Sequence, residues 1–228
     1  IPTLLQEQNS FPGKTNKILA KKAKAICVAY SGMDRFFPKE KVQLTGNPVR
    51  ANLATDLAPL KTEAAAFFGL DATKPTILVI GGSLGALTLN ESIFSGLTQI
   101  QDKNVQVLWQ CGKSFETKFG QGLAQLPPQV KLLAFIQRMD LAYALADVII
   151  SRAGALSVSE LSLVGKPCIL VPSPNVAEDH QTKNALSLVD QNAAMLVKDI
   201  AAREVLLDTC FDLLASESKQ LELSQNLQ

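Results

Sequence analysis

Short apolar segments alternate with helix-forming segments through most of the chain, and this alternation constrains the fold more than any other feature. Six segments predict strands: 77–80, 105–109, 130–134, 148–150, 168–171 and 194–197. Helices are predicted to begin after them, near residues 86, 114, 139, 155, 181 and 201. Regular alternation favours an α/β fold, a doubly wound parallel sheet with helices on both faces. Because ligands of such sheets bind beside the carboxyl ends of the strands, we expect functional residues in the turns that follow them.

The first part of the chain has a different organisation. It predicts three short strands but only one helix, which is too few helices to complete a domain. The strands are 3–6, 25–29 and 41–44, and the helix is 14–24. Asn47-Pro48 is a turn signal, and we place a domain boundary there. We expect 1–47 to be part of a separate domain and 48–228 to form the main domain, which a helix over 61–68 opens.

Composition excludes several classes of function. The chain has 228 residues, a formal net charge of +1 and 47% hydrophobic residues, as in an ordinary globular domain. The small net charge gives no electrostatic basis for binding nucleic acid. Cys27, Cys111, Cys168 and Cys210 are widely spaced in apolar segments, so we expect reduced core thiols in a cytosolic protein. With no apolar segment near the ~20 residues that cross a bilayer and no signal peptide, we expect neither secretion nor membrane integration.

A turn of small residues joins the predicted strand 148–150 to the helix that follows it. Gly154 allows a sharp turn, and the free N–H groups of residues 155–157 carry about half a positive charge, which suits a diphosphate. Glu160 lies about one turn further along, where its two oxygens can accept hydrogen bonds from both ribose hydroxyls. The helix is predicted over 155–164, and the residues expected to face the core are Leu156, Leu161 and Val164. The alternative interpretation is a capped helix with a surface glutamate.

A glycine-rich turn follows the first strand of the alternating region. Its sequence is Gly81-Gly82-Ser83-Leu84-Gly85-Ala86. The glycines let backbone N–H groups approach an anion, and Ser83 adds a hydroxyl donor. The turn matches neither the G-x-G-x-x-G dinucleotide pattern nor the lysine-containing P-loop. A phosphate-binding turn and a turn shaped only by tight packing both stay open.

Two further strand ends carry candidate residues. Phe135 and Ile136 follow the third strand, where an apolar pair can pack on a nucleotide base, and core packing is the alternative. Gln181 and Asn184 begin the helix after the fifth strand, where amide groups suit sugar hydroxyls. His180, the one histidine of the chain, has no second histidine with which to bind a metal. We therefore expect no metal site, and no hydrolase arrangement is recognisable.

Five motifs together resemble the MurG family of N-acetylglucosaminyltransferases, and they occur in the family's order. They are Glu7-Gln8-Asn9 with Pro12-Gly13 and Thr15-Asn16-Lys17; Gly46-Asn47-Pro48-Val49-Arg50; the glycine turn at 81–86; Arg152-Ala153-Gly154-Ala155-Leu156-Ser157-Val158-Ser159-Glu160; and Asp179-His180-Gln181-Thr182-Lys183-Asn184-Ala185. The resemblance covers nearly the whole chain. It implies a GT-B fold, in which two Rossmann-like domains face each other and the C-terminal domain holds most of the donor sugar nucleotide. Residues 1–47 then belong to the N-terminal domain and 48–228 to the C-terminal domain.

The resemblance also implies roles for individual residues. The implied contacts are those of Asn9 and Gln181 with the sugar, Arg50 and Ser83 with the diphosphate, Ile136 with uracil and Glu160 with the ribose. The residues implied at the helix start over the phosphates are Ala155, Leu156, Ser157, Val158 and Ser159. Gln6 and Leu84 depart from the family pattern, which commonly has His and Gln there, so no role is carried over to them.

The activity implied is transfer of N-acetylglucosamine, with inversion, from UDP-N-acetylglucosamine to lipid I, the undecaprenyl-linked muramyl-pentapeptide. The product is lipid II, a precursor of peptidoglycan. The implied location is the cytoplasmic face of the bacterial cell membrane, with peripheral attachment and no cofactor. The family's glycine-rich loop and its histidine, which face the acceptor, have no counterpart in this chain, so the general base stays unknown. We therefore expect the chain to bind donor without transferring the sugar.

Alternative interpretations stay open. A sugar-nucleotide 2-epimerase or a glycolipid synthase shares the implied fold, although the motifs at 7–9 and 179–185 argue against both. A non-catalytic module that binds nucleotide sugars is the alternative outside enzymes. Lysines crowd the predicted helix 14–24 and indicate contact with an anionic membrane surface, although such a run is more often a solvated face. They are Lys14, Lys17, Lys21, Lys22 and Lys24.

Overall fold

The computed structural model describes residues 1–53, 57–82, 85–123 and 126–227. Its strands form two parallel sheets. The smaller sheet contains β1 (Leu4–Glu7), β2 (Ala25–Val28) and β3 (Val42–Leu44), side by side in that order. The larger sheet contains β4 (Thr76–Ile80), β5 (Gln106–Gln110), β6 (Val130–Leu133), β7 (Val148–Ser151), β8 (Cys168–Leu170) and β9 (Met195–Leu196). These strands lie in the order β6-β5-β4-β7-β8-β9.

Helices cover both faces of the larger sheet. The α-helices are α1 (Lys14–Leu19), α2 (Lys61–Phe68), α3 (Leu87–Ser95), α4 (Leu97–Asp102), α5 (Lys113–Leu123), α6 (Met139–Leu145), α7 (Ala155–Val164), α8 (His180–Val189), α9 (Ala202–Ala215) and α10 (Glu217–Leu227). Successive residues of β4 point to opposite faces, as strand geometry requires. Leu78 and Ile80 pack with α2, α6, α7 and α8, whereas Ile77 and Val79 pack with α3 and α9. The predicted doubly wound α/β fold is confirmed.

The element bounds follow the sequence pattern closely. Helices α2 and α7 have the predicted bounds, and the other predicted strands and helix starts agree to within one residue at each end. The prediction of a helix over 14–24 is wrong at its end, because α1 stops at Leu19. The Lys24 N–H donates to Thr3 O at 2.8 Å, so the chain is already entering the smaller sheet at that point. Helix α10 continues beyond the last predicted helix.

One core assignment in α7 is also wrong. Leu156 is 43% exposed, whereas Val158, Leu161 and Val164 are buried. At 100° per residue, Leu156 lies about 200° around the helix from Val158 and therefore faces away from the sheet.

The structure describes the state of the cysteines and the character of the helices. All four cysteines are free, and Cys111, Cys168 and Cys210 are buried. Burial raises the pKa of Cys168 to about 12 and the pKa of Cys111 to about 11. These two thiols therefore stay protonated near neutral pH. Across the described ranges, no helix is both long enough and apolar enough to cross a membrane.

Hydrogen bonds join the smaller sheet to the larger one, and the fully buried Asn184 on α8 lies at their centre. Its Nδ2 donates to Asn9 Oδ1 at 3.0 Å and to Ala153 O at 3.3 Å. Its Oδ1 accepts hydrogen bonds from the N–H and the hydroxyl of Ser10, at 2.9 and 3.1 Å. One amide thus connects the loop after β1 with the turn after β7. The division into domains at residue 48 stays a prediction.

The loop after β1 is itself ordered by a buried carboxylate, that of Glu7. Its Oε1 accepts from the Asn9 N–H at 3.0 Å, and its Oε2 accepts from the Gly13 N–H at 3.2 Å and from Asn16 Nδ2 at 2.8 Å. Hydrogen bonds to an ionised acceptor are stronger than neutral ones. Glu7 therefore fixes the position from which Asn9 reaches α8.

We expect Asn184→Leu to lower the free energy of unfolding by about 2–4 kcal/mol. Leucine has a similar volume but leaves the Ser10 N–H, Asn9 Oδ1 and Ala153 O without their partner. A buried unpaired group costs about 1–3 kcal/mol, and the part-buried groups of Ser10 and Asn9 cost less because water reaches them. Urea denaturation followed by circular dichroism measures the change. The control is Asn226→Leu, at an exposed site with one hydrogen bond to Asn192 O, which should change stability by about 0.5 kcal/mol at most. Equal losses in the two variants would contradict the assigned role of Asn184.

Candidate functional site

A cavity of about 510 Å³ opens at the carboxyl ends of β4 and β7. The order of the larger sheet reverses between these two strands, since β5 and β6 follow β4 on one side and β8 and β9 follow β7 on the other. The glycine turn after β4, the turn after β7 and the loop after β8 line the cavity. Such a switch point is the usual place for a ligand in an open α/β sheet.

The glycine turn is shaped by close backbone packing. Gly82 and Gly85 have φ angles of 80° and 77°, which side chains disfavour. A Cβ on Gly85 would lie 2.2 Å from Cys111 O. Asn90 holds that carbonyl through an Nδ2 bond of 2.8 Å, and its Oδ1 accepts from Trp109 Nε1 at 2.8 Å. Tight packing thus explains the glycine at 85, whereas Ser83 and Leu84 lie outside the described residues.

Two helices begin at the cavity. Gly154 precedes α7 in an extended conformation and Ala86 precedes α3 likewise, and among the described residues no side chain caps either start. The first N–H groups of each helix therefore have no intrahelical partner and carry a partial positive charge. Gly154 and Ser157 line the cavity from α7, and Leu87 and Thr88 line it from α3. The arrangement can hold an anion between two helix dipoles.

The carboxylate of Glu160 is buried, so the interpretation of a surface glutamate is wrong. Arg50 Nη1 lies 2.8 and 2.7 Å from its two oxygens, and the Tyr143 hydroxyl donates to Oε2 at 3.0 Å. Burial and the neighbouring carboxylate hold the pKa of Tyr143 well above its ordinary value, which keeps the hydroxyl protonated as a donor. Arg50 does not line the cavity as the described residues outline it. Sequence reasoning missed Tyr143, which lies in a uniformly buried helix.

A second ion pair closes the far side of the cavity. Arg152 Nη1 pairs with Asp199 Oδ1 and donates to Val171 O at 2.9 Å. Thr88 Oγ1 donates to Asp199 Oδ2 at 3.0 Å. The pair therefore ties the turn after β7 to the start of α3 and to the segment before α9. No sequence signal marked Asp199, which is 47 residues from Arg152.

The two strand-end candidates differ in exposure. The Ile136 side chain is buried in the core, as the packing alternative expected, and its N–H donates to Gln110 Oε1 at 2.9 Å. Phe135 is the exposed member of the pair. Gln181 lines the cavity, and its Oε1 accepts from the Ser173 N–H at 2.9 Å. Gln181 and Ile136 thus lie after different strands of the same sheet edge.

The remaining candidates lie around α7 and α8. Asn9 approaches α8 through Asn184, and Ser159 Oγ accepts from Asn47 Nδ2 at 2.9 Å. Val158 is buried, so its side chain faces the core. His180 is half-buried, and its Nδ1 lies 2.8 Å from Ala177 O. No group of metal-ligating side chains occurs in the part of the chain that the structure describes.

The fold is that of a glycosyltransferase domain, and comparison with known proteins identifies its family. The Glycosyltransferase family 28 C-terminal domain matches residues 76–228, so the chain belongs to glycosyltransferase family 28. It is 54% identical over 228 residues to a protein of Cytophaga hutchinsonii, and 51% identical over 230 residues to one of Bacteroides thetaiotaomicron. Both relatives are named UDP-N-acetylglucosamine--N-acetylmuramyl-(pentapeptide) pyrophosphoryl-undecaprenol N-acetylglucosamine transferase.

The matches cover this chain completely but the relatives only in part. The chain spans 60% of the Cytophaga protein and 62% of the Bacteroides protein. Among solved structures, MurG of Acinetobacter baumannii superimposes with a TM-score of 0.73 at 31% identity, over 100% of this chain and 62% of that one. A Listeria monocytogenes protein titled a putative UDP-N-acetylglucosamine 2-epimerase has a TM-score of 0.64 at 12% identity, over 95% of this chain and 58% of that one, which shows a shared fold alone.

We expect Gly85→Ala to destabilise the fold by about 3 kcal/mol or more, and Gly82→Ala by only about 1–2 kcal/mol. Both alanines adopt a positive φ, which costs about 1–2 kcal/mol. At Gly85 the new methyl group also meets Cys111 O, whereas a Cβ at Gly82 meets nothing within 4 Å. Urea denaturation of the two variants measures the difference. If both variants lose the same stability, the close approach of the turn to Cys111 is not what requires glycine at 85.

Proposed function

We propose that the chain holds the donor-binding part of a transferase that moves N-acetylglucosamine, with inversion, from UDP-N-acetylglucosamine to lipid I, forming lipid II for peptidoglycan. The observation that carries the proposal is the convergence of the α3 and α7 N-termini on one cavity at the switch point. The relatives' names supply the donor and the acceptor. In this proposal residues 48–228 form the donor domain and 1–47 belong to the acceptor domain.

The proposed donor contacts run along the edge of the larger sheet. The backbone of residues 155–159 and Ser83 hold the diphosphate, because uncapped helix N–H groups attract anions. The Ile136 segment contacts uracil, and Asn9 and Gln181 contact the sugar. The proposal assigns no cofactor to these contacts. Transfer also needs an acceptor hydroxyl placed in line and relieved of its proton, and we assign no residue of this chain to that step.

Arg50 and Glu160 exchange partners in this proposal. A carboxylate offers about four acceptor positions, and Arg50 and Tyr143 already take three of them at Glu160. Both ribose hydroxyls can therefore bind Glu160 only when Arg50 leaves it. A released Arg50 guanidinium is then available to the diphosphate, which it can bind with two parallel N–H groups. After this exchange Glu160 binds the ribose and Arg50 binds the diphosphate, which are the two roles that the family resemblance implied.

Calorimetric titration of the purified chain tests the donor class. We expect binding of UDP and UDP-N-acetylglucosamine, weaker binding of UDP-galactose and no binding of NAD. Binding of NAD in preference to UDP would overturn the proposal. Lipid II formation by the full-length protein with a soluble lipid I analogue separates a transferase from a module that only binds nucleotide sugars.

We expect Glu160→Ala to weaken UDP binding by about 30-fold to 1000-fold. The variant loses two charge-assisted hydrogen bonds to the ribose, which together contribute about 2–4 kcal/mol. The control is Glu222→Ala, whose side chain is 46% exposed on α10, pairs with Lys219 and does not line the cavity. Unchanged UDP affinity in a folded Glu160→Ala protein would reject the ribose assignment.

We also propose that the α1 region contacts the cytoplasmic face of the membrane as a peripheral attachment. Lys14, Lys21 and Lys22 are exposed there, beside the exposed side chains of Ile18 and Leu19. Anionic lipids attract lysines near their surface by about 1 kcal/mol each, and exposed apolar side chains can enter the interface. The proposal fits an acceptor that is linked to a lipid.

We expect the double variant Lys21→Glu, Lys22→Glu to bind anionic vesicles at least about tenfold more weakly, because two attractive charges become repulsive. Co-sedimentation with phosphatidylglycerol-containing vesicles at low and high salt measures this change. The control carries the same charge change at Lys103 and Lys113, which are exposed near the larger sheet. Equal binding by both variants would contradict membrane contact through α1.

A further inference from the structure

Gln110 is a buried polar residue at the carboxyl end of β5, with 3% of its surface exposed. Its Nε2 donates to Gly82 O at 3.1 Å, and its Oε1 accepts from the Ile136 N–H at 2.9 Å. Because β5 lies between β4 and β6, these bonds reach the segments that follow both neighbouring strands. One side chain thus bridges the glycine turn and the Ile136 segment.

A glutamine suits this bridge for a simple chemical reason. Its planar amide places a donor and an acceptor at fixed positions, and it meets one carbonyl and one N–H. A glutamate at neutral pH offers acceptors only and would bury a charge, and a lysine offers donors only. The two backbone groups it joins would otherwise be left without this partner, at a buried position for the Ile136 N–H and a half-buried one for Gly82 O. Neither the strand pairing nor the turn glycines supply that link.

We propose that Gln110 is a positioning residue that fixes the distance between the base subsite and the diphosphate subsite. This inference rests on the proposed function, in which the Ile136 segment contacts uracil and the glycine turn lies at the diphosphate. Gln110 sits beneath both and touches neither ligand group. It therefore holds the two subsites in one rigid receptor for a uridine diphosphate. UDP then binds more tightly than the separate affinities for uridine and pyrophosphate would give.

The chain contains a matched control at the opposite end of the same strand. Gln106 is also 3% exposed, and it also bonds backbone with both ends of its amide. Its Nε2 donates to Asp71 O at 2.7 Å, and its Oε1 accepts from the Asp71 N–H at 2.7 Å. At about 3.3 Å per residue, it lies about 13 Å from Gln110, at the sheet edge away from the cavity.

The experiment compares Gln110→Met with Gln106→Met, since methionine keeps the side-chain length and removes the amide. Unfolding in urea reports stability, and calorimetric or competition titrations report affinities for UDP, uridine and inorganic pyrophosphate. We expect similar losses of stability in the two variants. Gln110→Met should weaken UDP binding by about 30-fold while uridine and pyrophosphate each weaken by about threefold or less. Gln106→Met should leave all three affinities within about twofold of the wild type.

Gln110→Glu provides a second, independent readout. A protonated carboxyl group can donate to Gly82 O and accept from the Ile136 N–H, whereas the ionised group cannot donate. Burial raises the pKa of such a carboxyl group, so it becomes protonated in mildly acidic solution. We expect the UDP affinity of Gln110→Glu, relative to wild type at the same pH, to rise as the pH falls from 8 to 5.5. A ratio that does not change with pH would count against the bridge.

The outcomes separate this inference from the proposed function. If wild type binds UDP but Gln110→Met binds it equally well, the positioning role is overturned and the proposed function stands. A loss of UDP affinity no larger than the combined losses for uridine and pyrophosphate also overturns it, because the residue then shapes each subsite separately. If wild type binds no UDP, the proposed function falls first and the inference falls with it.

Discussion

The pairing of β4 with β7 is the constraint on which the rest of the architecture depends. The chain winds outward from β4 through β5 to β6, and then returns to β7 and winds the other way. Ile80 and Ser151 are paired in register, and the Arg152 N–H donates to Ile80 O at 3.3 Å. The turns after the two strands therefore begin at the same level. Because α3 and α7 then leave toward opposite faces, their N-termini are left beside one open crevice.

Charged side chains around this crevice are paired, and this determines how the site can attract an anion. Arg152 pairs with Asp199, and Arg50 pairs with Glu160. A buried charge without a partner would cost several kcal/mol, so removing one member of either pair would destabilise the fold around the crevice. Since the paired charges largely cancel while the pairs are intact, the initial attraction for phosphate comes from the backbone N–H groups of two helix starts. Backbone groups lose no side-chain entropy when a ligand binds, which favours a preorganised site.

Local patterns predicted the elements well and the polar contacts poorly. Strand and helix periods are properties of neighbouring residues, and for this reason the bounds of α2 and α7 and the helix starts could be predicted. The partners of Glu160 could not be predicted, because Arg50 is 110 residues away and Tyr143 lies in a helix whose residues are all buried. Gln110 appears in sequence as one polar residue at the end of an apolar strand. Its role depends on the order of β4, β5 and β6, which the alternation does not specify.

In the proposed function, the exposure of Arg50 and Glu160 determines which of the two moves when a nucleotide binds. The Arg50 side chain is 43% exposed and the Glu160 side chain only 9%. A guanidinium that leaves the pair is therefore already close to water, and its rehydration offsets much of the lost attraction. The carboxylate has no such access, and it would be left buried with only the Tyr143 hydroxyl as partner. Glu160 thus stays in place until two hydroxyl donors replace Arg50, and this requirement favours a ligand with an intact ribose over a bare diphosphate.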